Sequence, residues 1–457
     1  MRKDNVEALD IFANAPIPKA VFKNAIPAII SMLMVVVYNL ADTFFVGQTH
    51  DALQVAAVSL ATPIFLLLMA VGLLFGIGGT SVISRALGEK RHDYAKKTSA
   101  FCFWAGGGVG IVCMFILWIF MDEILAIIGT SPATIGYTRS YLSIFASGSV
   151  FVIISNCFCN IIRAEGKSTE AMMGLLIGNL VNCILDPIMI LWFGWGVAGA
   201  AIATVIGNAI GVSYYIIYFL RGKSILSINI KDFSAGNRIF SGVLSIGVPA
   251  SINSILVSVS NVFVNILIVN YGDMAVAGIG VAFKVVLVNL LLVIGVGQGV
   301  QPILGYCYGA GNWERFKGVM RFSLIFATVL GIILSVISYL GAGVIVKAFL
   351  EEPSAYRFGV QFSRMLLISG PCLGALFIYT NALQAVGAAV PSLILSVSRQ
   401  GIIFIPILFI LNAVAGLTGL VIAQPVTDFL SFILSTVLYF YATNTLSKKS
   451  TTVYYTL

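Results

Sequence analysis

The residues Ile26–Val46, IPAIISMLMVVVYNLADTFFV, form an apolar run interrupted by a single charge, Asp42. A run of this length rises about 31 Å as an α-helix, close to the thickness of a bilayer's hydrocarbon core. A carboxylate at membrane depth costs about 3 kcal/mol on insertion scales, so a span that keeps one marks a place where the acid has work to do. A second run, Met172–Trp192, MMGLLIGNLVNCILDPIMILW, carries Asp186 as its sole charge.

Outward from these two stretches, apolar runs recur from Ile26 to Tyr441. We count twelve, at approximately 25–46, 55–80, 101–121, 139–162, 171–192, 197–220, 239–270, 277–304, 318–346, 358–384, 392–411 and 416–441. With 59% apolar and only 10% charged residues among 457, the chain reads as an all-α integral membrane protein. The first 24 residues are of mixed charge, contain Pro16 and Pro18, and lack the tripartite pattern of a cleaved signal peptide.

The second half repeats the first with a shift of about 221 residues. The segment 248–268, VPASINSILVSVSNVFVNILI, aligns with the opening run, setting Pro249 against Pro27 and Val264 against Asp42. Gly76, Gly78 and Gly88 are answered by Gly297, Gly299 and Gly309, Pro132 by Pro353, and Asn160 by Asn381. Six spans per unit is an even number, so both copies enter from the same side. The repeat is therefore parallel, about a pseudo-two-fold axis along the membrane normal. The expected organisation is a cytoplasmic N-terminal segment (1–24), a six-helix lobe (25–220), a cytoplasmic linker (221–238), a second six-helix lobe (239–441) and a cytoplasmic tail (442–457). The two acids do not follow the repeat, which points to a role beyond packing.

The net charge of +8 comes from an uneven distribution. With the N-terminus placed inside, 21 of the 26 lysines and arginines fall in cytoplasmic segments or at cytoplasmic span ends, Arg2, Arg163 and Arg399 among them. This positive-inside bias places both termini in the cytoplasm and accounts for the basic charge without a nucleic-acid partner. The seven cysteines all lie in apolar runs with no CxxC spacing, so neither a disulfide framework nor a thiolate metal site is indicated. His50 and His92 lie in loops, which excludes an embedded histidine proton relay.

Helical depth groups several polar residues. Asp42 falls about one turn from the outer end of its span, Asp186 one to two turns, and Thr204 about two turns inside the sixth span, with Tyr141 near the mouth of the fourth. Tyr38 and Asp42, and Asn182 and Asp186, are four apart and share a helix face. Pro187 removes one backbone hydrogen bond and frees a carbonyl near Cys183. Two chemistries suit such a pocket. Burial disfavours a charged carboxylate, and neighbouring carboxylates disfavour joint ionisation, so the pair can load and release protons near neutral pH. Alternatively, Asp, Asn and Thr oxygens suit a hard cation such as Na⁺. The bland alternative is that each acid only fixes helix packing.

The repeat, YNLADTFFVG around Asp42, NLVNCILDP around Asp186 and SRQGIIFIP from Ser398 together resemble the multidrug and toxic compound extrusion (MATE) transporters, nearest to their bacterial MepA-like and DinF-like branches. The likeness runs from about Lys19 to Tyr441. It implies a V of two lobes and an antiporter driven by H⁺ or Na⁺. Within it, Tyr38, Asp42, Tyr141, Asn182, Asp186 and Thr204 match a cation network of the N-terminal lobe, and Pro27 matches a proline associated with bending of the first helix. The seventh and tenth spans carry no carboxylate, unlike the NorM-like branch, which argues against a C-lobe cation site of that type.

Lys284 and Asp428, each taken as the sole charge well inside its span, are expected to form a structural pair, directly or through water, with a role in coupling or substrate passage as the alternative. Asn253, Asn261 and Asn265 on the seventh span, and Gln301 on the eighth, are expected to line a watered cleft rather than meet lipid. The sequence thus points to a cation-coupled exporter of organic cationic or amphiphilic compounds working by alternating access. Its partners would be small-molecule substrates and the bilayer, with no nucleic acid, no cofactor, no metal beyond possible Na⁺, and a monomeric state in a bacterial plasma membrane. A lipid-linked or polysaccharide flippase of related design is one rival. An intramembrane aspartyl enzyme is another, although no HExxH, GxSxG or cysteine–histidine set is present.

Overall fold

The computed structural model describes residues 3–236 and 238–454; Arg2 of the basic residues counted above and residues 455–457 of the tail lie outside it. Its first half comprises α1 (Lys3–Ala13), α2 (Ile17–Gly47), α3 (Ala52–Gly88), α4 (His92–Ile119), α5 (Met121–Ile127), α6 (Ile135–Ser147), α7 (Ser149–Ala164), α8 (Ser168–Asp186) and α9 (Gly196–Leu220). The second comprises α10 (Ile239–Ile268), α11 (Asp273–Gly309), α12 (Trp313–Lys347), α13 (Pro353–Leu366), α14 (Gly370–Ala385), α15 (Ala389–Val397) and α16 (Phe404–Tyr454). A π-helical turn, Pro187–Trp192, continues α8, and another, Ser398–Ile403, joins α15 to α16.

Ten of these elements are long and apolar enough to cross a bilayer, and the pair α6–α7, bent by 56° at Gly148, makes an eleventh. The element from Ala389 to Thr445 is 57 residues long, about 85 Å of helix and far beyond one hydrocarbon thickness. It breaks at Gly416, whose φ of 57° and ψ of −136° lie outside helical space and suit a residue without Cβ. It therefore supplies two crossings, and the described residues make twelve. The first span begins earlier than its apolar run: Pro16 and Pro18 do not exclude a helix but start one, with proline in the first turn where its missing N–H costs nothing. The last helix likewise continues into the tail, to Tyr454.

The repeat is legible in the packing. The amide of Asn160 sits against Gly76 as that of Asn381 sits against Gly297, each donating to the carbonyl four residues earlier, Asn156 and Phe377. Between lobes, a methyl group on Gly88 would meet the Tyr306 carbonyl at 2.2 Å, and one on Gly309 would meet the Arg85 carbonyl at 2.1 Å. These are one contact made twice, as a two-fold relation requires. The same holds for Gly78 against Val243 and Gly247, and Gly299 against Ala25. All these close approaches fall in the halves of α2, α3, α10 and α11 nearest the termini, so the lobes are sealed on that side. Ser81 Oγ donating to the Gln384 carbonyl, Ser251 Oγ to the Ala70 carbonyl (2.7 Å) and Arg163 Nη1 to Gln298 Oε1 (2.7 Å) cross the same seam. On the opposite side Val37, Leu40 and Phe44 of α2 and Val262 and Ile266 of α10 are exposed.

Two further ties close the terminal side. Arg315 donates to the carbonyls of Ile11, Phe12 and Ala15, fastening α1 under the second lobe. Glu165, fully buried just beyond α7, accepts from Tyr218 (2.8 Å), Ser224 (2.8 Å) and the Ile225 amide (2.8 Å), fastening the linker to the first lobe.

Candidate functional site

The six polar residues singled out from the sequence converge in the first lobe. Asp42 (8% exposed) lies on α2, Tyr141 on α6, Asn182 and Asp186 (0% exposed) on α8, and Thr204 on α9. Asn182 Nδ2 stands 3.4 Å from Asp186 Oδ1 and 3.3 Å from Thr204 Oγ1, both long for hydrogen bonds. Tyr38 is within hydrogen-bonding reach of Thr204 and within electrostatic reach of both acids. Tyr141 faces Asp42, Tyr38 and Asp186, its ring stacked on Phe145 at 6.0 Å.

Local chemistry explains the cluster. Asp186 ends the regular part of α8 because Pro187 cannot donate to the Cys183 carbonyl, and the chain continues as a π-turn. Such turns are frequent at functional sites. Gly178 and Gly207, each approached by the other's carbonyl, let α8 and α9 pack closely enough to bring Thr204 to Asn182. Pro27 lies inside α2, four residues before Ser31, whose hydroxyl takes up the Pro27 carbonyl at 2.9 Å.

Three acceptor oxygens in this cluster, Asp42 Oδ1, Asp186 Oδ2 and Asn182 Oδ1, are buried with no protein donor. An unmatched buried acceptor costs about 1–3 kcal/mol, more when charged. Three together invite a proton or a cation. Beside them a cavity of about 40 Å³ is lined by Tyr38, Asn182 and Thr204 together with Asn156, Asn179 and Asn208, room for about three water-sized molecules. Sequence reading did not assign the last three amides to the site. Spacing (Asn179 three before Asn182, Asn208 four after Thr204) is the signal that would have found two of them; Asn156 has none. No group of three or more His, Cys, Asp or Glu side chains with metal-binding geometry occurs among the described residues.

The second lobe overturns two expectations. Asp428 does not pair with Lys284: its Oδ1 accepts from Arg399 Nη2 (3.1 Å) and Gln424 Nε2 (3.0 Å). Arg399, read above as a cytoplasmic span end, is 7% exposed inside a span, in the π-turn Ser398–Ile403, with Phe377 stacked on its guanidinium. Ten residues of helix separate it from the start of α15, enough to carry it to mid-membrane, where only a nearby carboxylate offsets its charge. Lys284 instead lies exposed with its ammonium over the Phe349 ring. Asn253 lines a cavity of about 150 Å³ between the lobes together with Arg399 and Gln298. Asn261 and Asn265 are exposed, and Gln301 is buried with Nε2 unpaired.

Comparison with known proteins gives a consistent result. The sequence model of the MatE family matches residues 27–188 and 249–410, once in each lobe. The multidrug export protein MepA of Staphylococcus aureus (strain MRSA252) is 31% identical over 415 residues, 91% of this chain and 92% of that one. The protein of the same name from Staphylococcus haemolyticus is 33% identical over 429 residues, 93% and 94% respectively. Among solved structures, MATE in complex with MaL6 superposes with a TM-score of 0.92 at 22% identity, covering 98% of this chain and 100% of that one. An outward-facing multidrug resistance MATE transporter superposes at 0.91 and 22% identity, covering 96% and 98%.

Proposed function

The chain belongs to the MATE family, membrane transporters rather than enzymes, and on that premise we propose that it is a multidrug exporter driven by cation antiport. The three buried acceptor oxygens of Asp42, Asp186 and Asn182 carry this reading. They accept a proton, or with Thr204 and Tyr38 they surround Na⁺. In either case cation uptake favours the lobe geometry in which the acids are satisfied. Coupling follows because any ligand that prefers one state shifts the other's affinity by the same factor. With the termini in the cytoplasm of a bacterial cell, the sealed side faces inward and the structure is outward-open. Substrates are organic cations or amphiphiles; the staphylococcal relatives are named as multidrug export proteins. A single chain holds the whole cleft, so the working unit is a monomer.

A flippase of anionic lipid-linked sugars would need a cationic cleft. Arg399 adds a buried cation that the sequence reading had placed at a cytoplasmic span end, but Asp428 neutralises it. The deciding experiment is ethidium efflux from proteoliposomes with pH and Na⁺ gradients imposed separately. One gradient is expected to accelerate efflux at least tenfold. Equal rates with neither, either or both gradients would remove cation coupling.

A further inference from the structure

Lys284 lies well inside α11, about 16 Å along the helix from Asp273. The ion pairs among the described residues are Arg91–Glu89, Lys96–Asp93, Arg139–Asp122 and Arg399–Asp428, and Lys284 is in none of them. Its ammonium reaches back toward the open mouth, 5.6 Å from the centroid of Phe349, two residues beyond the end of α12. Long cationic side chains extend in this way toward the headgroup level of a bilayer.

Lys284 borders a groove of about 330 Å³ between α2 of the first lobe and α11 and α12 of the second, walled by Leu40, Leu287, Val288, Ile345 and Phe349, with Asn39, Thr43, Asn289 and Ser338 as its polar lining. The outer face of α12 beside it, Ile337, Leu340 and Val344, is between 62% and 80% exposed. An exposed apolar face on a membrane-spanning helix meets lipid, so the groove opens to the bilayer and not only to the cleft. A single cation beside a largely apolar trough matches one kind of occupant in both charge and shape.

We propose that this groove is a binding site for a phospholipid with an anionic headgroup, its phosphate on Lys284 and an acyl chain along Leu40, Leu287 and Ile345. Because the groove is walled by both lobes, a bound lipid bridges them, and its occupancy favours the arrangement of the lobes seen here.

The test is native mass spectrometry of the purified full-length chain, titrated with phosphatidylglycerol or with phosphatidylcholine of the same acyl chains. The wild-type protein is expected to prefer phosphatidylglycerol about fivefold, the effect of one basic residue at a membrane surface. Lys284→Arg keeps the preference and Lys284→Met loses it. Leu287→Trp, which fills the groove and leaves the lysine intact, weakens both lipids. An unchanged preference in Lys284→Met overturns the proposal. So does unchanged lipid binding in Leu287→Trp, which decides the matter if Lys284→Met does not accumulate. Displacement of phosphatidylglycerol by equimolar inorganic phosphate would make this a simple anion site, and displacement by ethidium would make it part of the export path. Either result overturns the lipid assignment.

Discussion

Asp42 and Asp186 bring two carboxylates into one lobe with fewer donors than acceptors, and the imbalance sets what substitution does. Asparagine preserves shape but removes both the ionisable group and one acceptor oxygen. We expect Asp42→Asn and Asp186→Asn each to reduce gradient-driven ethidium efflux in everted vesicles at least tenfold while leaving the amount of folded protein in the membrane unchanged. Normal efflux by both variants would sink the coupling assignment. The Arg399–Asp428 pair has a different kind of importance. Removing one partner leaves a buried charge uncompensated, a loss of about 3–5 kcal/mol, whereas replacing both with apolar groups is often near neutral. Asp428→Leu should therefore lower the thermal midpoint in detergent sharply, and Arg399→Met with Asp428→Leu should recover most of it. If the double variant melts as low as the single, the pair is not what stabilises that lobe.

At the scale of elements, the seam is a set of backbone contacts that admit no side chain. A Cβ on Gly247 would lie 2.0 Å from the Leu74 carbonyl, so Gly247→Ala cannot seal the terminal side as this structure does. The variant should shift toward the opposite opening. Ser84, fully buried at the seam, reports on it: in a background with the seven native cysteines replaced, Ser84→Cys should react slowly with a membrane-impermeant maleimide. Adding Gly247→Ala should raise that rate severalfold. Equal rates would mean that the seam does not govern the opening. The two π-turns show how one element diverges between repeats. The fifth span carries an acid just before its π-turn, and the eleventh, its counterpart, an arginine within a π-turn set about ten residues earlier in the repeat, so equivalent helices present opposite charge at different depths.

For the whole molecule, the linker has a titratable fastening. Burial pushes the Glu165 carboxyl up from 4.5 to about 7, outweighing the hydrogen bonds from Ile225, Ser224 and Tyr218 that favour its charged form. An acid raised in the folded state takes up a proton on folding between these two values. The contribution of Glu165 to stability is therefore greatest below about pH 4.5 and falls as pH rises to about 7, by about 3 kcal/mol in all. Thermal melts at pH 5 and pH 8 should show the decline in the wild type and a flatter profile in Glu165→Gln. A profile of equal slope in both would assign the decline to other groups.

Hydrophobic length and the repeat of prolines, glycines and asparagines determined by themselves the class, the twelve crossings and the two-lobe symmetry, because a bilayer demands apolar helices of fixed length and a duplicated lobe keeps its packing glycines. Helix spacing also grouped Asp42, Asp186, Asn182 and Thr204, since turns of fixed rise convert position into depth. Only the tertiary structure decided that Asp428 answers Arg399 rather than Lys284, and that Asn179 and Asn208 wall the same cavity as Tyr38. It alone showed that the lobes close on the terminal side. Those outcomes depend on how helices rotate and cross, which side-chain volume and close glycine contacts set across hundreds of residues, and no local pattern in the chain encodes them.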